Sequence, residues 1–221
     1  MTVTTSKLTR AAGLAAVAAG LIFIGVQVNH PHLDAISITT TEMLIRDLLK
    51  VLMAALAVVG ITGMYLRQVT RAGVLGLIGY LLLSTGYLII MSSSFVAAFI
   101  LPSIADNNRA YVNDVLTAAL GGHAIGGIGL LQHAIRVQGV TYLAGGLLFG
   151  IALYRARVLA RWAAALLAVG GLLSAALTMM PDAFYRLLAF PNGIAMIALG
   201  YSLWGEQRTP PALAVPATAG P

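Results

Sequence analysis

Residues 72–91 read AGVLGLIGYLLLSTGYLIIM, twenty positions without a charge, bracketed by Arg67 and Arg71 before them and Ser92-Ser93-Ser94 after them. A helix rises about 1.5 Å per residue, so about 20 apolar residues cross the ~30 Å of a bilayer's hydrocarbon. The stretch therefore reads as one membrane span with polar residues at both of its boundaries.

The same pattern recurs outward along the chain. Six segments qualify: 11–28, 51–66, 72–100, 140–154, 162–180 and 187–204. They dominate the composition, which is 59% hydrophobic and only 9% charged over 221 residues, with a mean hydropathy of +0.91. Soluble domains carry roughly a quarter of their residues as charge. A surface this poor in charge needs lipid over much of it. The expected fold is all-α, an integral membrane bundle of six helices in a single domain over 1–208. A Pro/Ala-rich tail over 209–221 is expected to be disordered. Ala11 onward is too long an apolar run for a signal peptide, and Asn29-His30-Pro31-His32 offers no small-residue cleavage site, so it reads as a retained span.

Charge orients the spans. Lys7, Arg10, Arg67, Arg71, Arg155, Arg157, Arg161 and Arg208 all fall at one set of span ends. Basic residues concentrate in cytoplasmic loops, which puts both termini in the cytoplasm. The net charge of +6 thus reports membrane orientation, and nucleic acid is not an expected partner. About 20 residues back from Arg67 lies Asp47, and as far forward from Arg10 lies His30. From Arg161 the same count reaches Pro181 beside Asp182. The apolar run from Val115 to Leu131, broken by glycines around His123, would reverse this order as a seventh span. A surface helix or a re-entrant loop fits the charges better. A shift of 90 residues aligns Arg67 with Arg157 and Arg71 with Arg161, as an internal repeat of helical hairpins would.

The far ends collect the polar residues. In Asn29-His30-Pro31-His32-Leu33-Asp34, Pro31 favours extended backbone at His30, and alternate extended residues share a direction. His30 and His32, with Asp34 behind them, suit a polar ligand or a late transition metal; the plainer reading is a wet span end. No third ligand stands at fixed spacing, so no metal is assigned. Glu42, Arg46, Asp47 and Lys50 lie three and four apart, the spacing of paired charges on a helix. Asp106, Asp114, His123, His133 and Arg136 follow in the longest connection. Without cysteine there is no thiol chemistry, and no cofactor motif is present.

Two functions suit this pattern. One is a polar-rimmed pocket at the outer helix ends that binds a hydrophobic or amphiphilic small molecule, with His30, His32, Asp34, Arg46, His123 and Arg136 as ligand contacts. The other is an enzyme acting on a lipid or isoprenoid, with Glu42, Asp47, Asp114 or Asp182 as the acid. Membrane lipids are partners in either case. A transporter fits less well, because intramembrane charge is scarce, and a structural partner subunit is a further, less favoured reading.

Gly25-Val26-Gln27 with His30-Pro31, Gly63-Met64-Tyr65-Leu66-Arg67-Gln68 and Leu199-Gly200-Tyr201-Ser202-Leu203-Trp204 together resemble small multi-pass membrane proteins of bacteria. The resemblance implies an inner-membrane location and brings no activity or functional residues with it.

Overall fold

The computed structural model describes residues 2–177, 187 and 189–206. The chain is all-helical, with no strand among the described residues. Its helices are α1 (Thr5–Gly25), α2 (Thr41–Arg67), α3 (Val69–Phe99), α4 (Leu101–Ala105), α5 (Arg109–Ala119), α6 (Leu131–Ala156), α7 (Arg161–Leu177) and α8 (Ala189–Glu206), with a short 3-10 turn at Ser37–Thr39. Three of them, α1, α3 and α6, are long and apolar enough to cross a membrane.

The long helices start and stop where local chemistry dictates. Thr4 caps α1 by accepting from the Lys7 amide. Thr40 caps α2 by accepting from Met43, with Glu42 in the first turn, where a carboxylate suits the positive helix end. Between α2 and α3 there is one residue, Gln68. It is buried, and its Nε2 donates to the Met64 carbonyl. Gly73 then kinks α3 at φ 59°, a left-handed conformation that residues with a Cβ resist. Arg157 in the left-handed region ends α6.

Around the bundle the neighbour order is α1, α2, α3, α6, α7, α8 and back to α1. Every adjacent pair is antiparallel. A Cβ at Gly13 would meet the Gly200 carbonyl at 2.7 Å, and one at Gly20 would meet Gly193 at 2.5 Å. Those pairs run in opposite directions, so α1 and α8 lie side by side head to tail. Gly60 against Ala16 and Gly79 against Phe149 give the same sense for α1–α2 and α3–α6. Small residues let these backbones approach closely, as in lipid-embedded bundles. Met53, Ile61, Met64, Leu83, Phe149 and Leu199 fill the middle of the ring.

This alternation gathers one set of ends together. The Arg10 guanidinium lies over the Trp204 ring at 6.0 Å, and the Arg161 guanidinium over Tyr154 at 4.2 Å. The Ala160 amide donates to Ser202 Oγ. Lys7, Arg67, Arg71, Arg155 and Arg157 are exposed at the same end. Asp182, Arg186, Arg208 and the tail from 209 to 221 lie outside the described residues.

At the opposite end the segment from Val115 to Leu131 contains the end of a helix that lies over the bundle, the surface-helix form of the expectation with different bounds. Its helix, α5, begins earlier, at Arg109, and stops at Ala119. Eleven residues span about 16 Å, half of what a crossing needs. Positive φ at Gly121 and Gly129 ends the helix and turns the chain. α5 buries Val112, Val115 and Leu116 against Ala35, Ile38 and Leu101, in a second core over the bundle end. It is a cap.

Candidate functional site

Helix α2 carries its charges on two faces. Met43, Asp47, Met53, Ala54 and Ala57 follow the helical repeat and are buried, so Asp47 occupies an inward position of an apolar stripe. Its residue exposure is 2%. Lys50, one turn on, sends Nζ back to Asp47 Oδ1 at 2.8 Å. The same Nζ lies 3.4 Å from His30 Nε2. His30 Nδ1 is 2.8 Å from the Pro31 carbonyl, which only accepts, so Nδ1 is the donor and the proton of the neutral ring sits there. Nε2 is then the acceptor that faces Lys50. His30, Lys50 and Asp47 form one chain of polar contacts at the end of the bundle.

That chain edges a pocket of about 120 Å³. Asp47, Lys50, Ser93, Ser94 and Gln138 form its polar side. Leu33, Ile38, Leu101, Val115, Leu116 and Leu131 are among the apolar residues that complete it. α4 and α5 therefore roof a space whose floor belongs to α2, α3 and α6. Ser93 Oγ donates to Gln138 Oε1 at 3.1 Å, which joins α3 to α6 beside the pocket. Asp47 Oδ2 is buried and meets no hydrogen-bond partner among the described residues. An unsatisfied buried acceptor of this kind costs about 1–3 kcal/mol, more when charged.

The other face of α2 is built differently. Arg46 Nη1 donates to the Val26 and Val28 carbonyls, and Nη2 to the Asn29 carbonyl. Its Nε and Nη2 reach Glu42 Oε1 at 3.0 and 2.8 Å. These carbonyls belong to the C-cap residue and the turn that follow α1 at Gly25. Arg46 closes the turn after α1, and Glu42 holds it from the exposed side.

The remaining sequence candidates scatter over the cap. Asp34 Oδ1 accepts from the Ile36 and Ser37 amides at 2.9 and 2.7 Å. The Ser37 amide most of all, with the Ile36 amide, the Ser37 hydroxyl and the charge of His32, holds its carboxyl below the usual value against a raising effect of burial. Asp114 accepts from the Ile125 and Gly126 amides through its two oxygens and pins the glycine-rich loop. His32, His123, His133 and Arg136 are exposed and outside the pocket lining. Among the described residues no three His, Asp or Glu side chains stand as a metal-binding group.

Of the candidates, the structure thus brings His30 and Asp47 together, and Glu42 with Arg46. Lys50, Ser93, Ser94 and Gln138 join the site without having been named as contacts. Lys50 was legible from its three-residue spacing to Asp47. Gln138 carried no distinguishing signal, as one of two amides near the polar start of α6. No protein family matches the chain, and comparison with curated proteins and with solved structures finds no match either.

Proposed function

We propose that this chain crosses a bacterial inner membrane six times, with both ends in the cytoplasm, and binds a small amphiphile in the capped pocket. The gathering of exposed bases at one end of the antiparallel ring supports the orientation. Lys50 stands about 26 Å along α2 from Arg67 at 1.5 Å per residue, close to the far boundary of the hydrocarbon. The bacterial location rests on the sequence resemblance.

One observation carries the binding reading. A buried carboxylate and an ammonium, with Ser93, Ser94 and Gln138 beside them, share a pocket whose other lining residues are apolar, the lining expected of a site that orients an amphiphile by few polar groups. Asp34, Asp114 and Arg46 serve the frame of the cap and leave the Asp47–Lys50 pair to meet the ligand.

Enzymatic action on a lipid or isoprenoid is the second reading. The partnerless Asp47 Oδ2 is what favours it, since a proton-transferring carboxyl would need a free oxygen there. With a turnover assay, Asp47→Asn would keep binding and lose reaction under this reading alone.

Native mass spectrometry of the protein released from nanodiscs tests the proposal. Wild type is expected to retain one small molecule per chain. Ala119→Trp, at an exposed position on the pocket lining, is expected to lose it while the fold persists. Equal retention by both proteins, or none by wild type, would remove the pocket as the binding site.

A further inference from the structure

Resting on that binding reading, we infer that the pocket takes an uncharged hydroxyl-bearing amphiphile, and discriminates against fatty-acid anions and alkyl cations. The argument is one of charge and valence at three side chains. Asp47 and Lys50 form a contact ion pair at 2.8 Å. The contacts of His30 to Pro31 and Lys50 fit its neutral tautomer. The polar side of the pocket is therefore a zwitterion with no net charge.

A neutral site still has hydrogen-bonding capacity left over. An ammonium carries three N–H bonds. Lys50 directs two of them at Asp47 Oδ1 and His30 Nε2, and the third has no acceptor assigned among the described residues. Asp47 has one oxygen, Oδ2, without a donor. The ion pair thus offers one donor and one acceptor side by side. A hydroxyl answers both, accepting from Lys50 and donating to Asp47. The sp³–sp² torsion of an aspartate is soft, so a small turn of the carboxylate presents Oδ2 to the ligand.

Charged head groups fit worse. A carboxylate would satisfy Lys50 and stand against Asp47. An ammonium would satisfy Asp47 and stand against Lys50. Either brings a buried charge without a counter-charge of its own. A dry cavity near 150 Å³ admits a benzene ring, so about 120 Å³ holds a head group and a few carbons. The rest of the chain must leave along the apolar wall towards lipid.

Photolabelling of the full chain in neutral-lipid nanodiscs at pH 7 tests this. Three labels would share a decyl chain with a diazirine and end in hydroxyl, carboxylate or ammonium, with labelled peptides located by mass spectrometry. The alcohol is expected to label pocket-lining segments saturably, and the other two about tenfold less. Asp47→Asn leaves Lys50 without its counter-charge and is expected to move the preference to the carboxylate. Lys50→Met is expected to move it to the ammonium. Wild-type ranking alone decides the matter if either variant fails to fold. A carboxylate or ammonium label that matches the alcohol in wild type would overturn the head-group inference and leave the pocket standing. No saturable labelling by any of the three would overturn the pocket as well.

Discussion

Gly200→Val is expected to abolish recovery of the folded bundle. A Cβ at Gly200 would lie 2.5 Å from the Gly13 carbonyl oxygen and 2.9 Å from the Val17 amide nitrogen. Both are helix backbone, already committed to hydrogen bonds within α1, so neither retreats alone. The two helices would have to separate, and α1–α8 is the contact that closes the ring. Overpacking inside a well-filled core costs about 1–3 kcal/mol when side chains can yield. Here only backbone is available, so a loss above ~4 kcal/mol follows. Size-exclusion chromatography of detergent extracts checks it, with Gly139→Ala as control, because a Cβ at Gly139 meets nothing within 4 Å. A Gly200→Val protein that runs and melts like wild type would contradict the close α1–α8 seam.

The second large effect falls on the ion pair. Lys50→Met removes the counter-charge that pairs with Asp47, whose side chain is 3% exposed. An orphaned buried carboxylate destabilises by about 3–5 kcal/mol, whereas replacing both members by apolar residues is often close to neutral. Thermal unfolding in detergent should therefore show a large drop for Lys50→Met and substantial recovery for the double variant Asp47→Leu/Lys50→Met. If the double variant is no more stable than the single one, Asp47 and Lys50 are not coupled as the structure has them.

How much of this was legible in the sequence differs from residue to residue. The start of α2 has a local cause, since Thr40 caps it and Glu42 sits in its first turn, with no reference to any other helix. The common end of Arg10, Arg67, Arg71 and Arg161 was readable because membrane orientation concentrates bases on one side. The site was half readable. Asp47 and Lys50 are three apart, so their pairing follows from helix geometry. Gln138 lies 45 residues from Ser93, and no periodicity connects positions brought together by the packing of α3 on α6. Arg46 looks in sequence like a ligand contact. Its actual partners, the carbonyls of Val26, Val28 and Asn29, belong to the turn that follows another helix. Asp114 reads as a candidate acid, yet its oxygens hold loop amides twelve residues on or fewer. Carboxylates that fix loops and carboxylates that face ligands look alike until the chain is folded.

The helix bounds also bear on the 90-residue shift. Thr41–Arg67 maps onto 131–157, against Leu131–Ala156 for α6. The two turns differ, since one residue joins α2 to α3 and a longer connection with a left-handed Arg157 joins α6 to α7. Among the described residues the likeness lies in the bounds of α2 and α6.

The central claim is that the pocket end faces outward on a bundle that crosses the membrane six times. The chain has no cysteine, so single substitutions report position cleanly. Ile36→Cys, Ile125→Cys, Val3→Cys and Thr70→Cys all fall at exposed positions, the first two at the capped end and the last two at the arginine end. With a membrane-impermeant maleimide on intact bacterial cells, Ile36→Cys and Ile125→Cys are expected to label at once. Val3→Cys and Thr70→Cys are expected to label only after permeabilisation. Labelling of Thr70→Cys and Ile36→Cys from the same side would contradict the six-span bundle and the outward pocket with it.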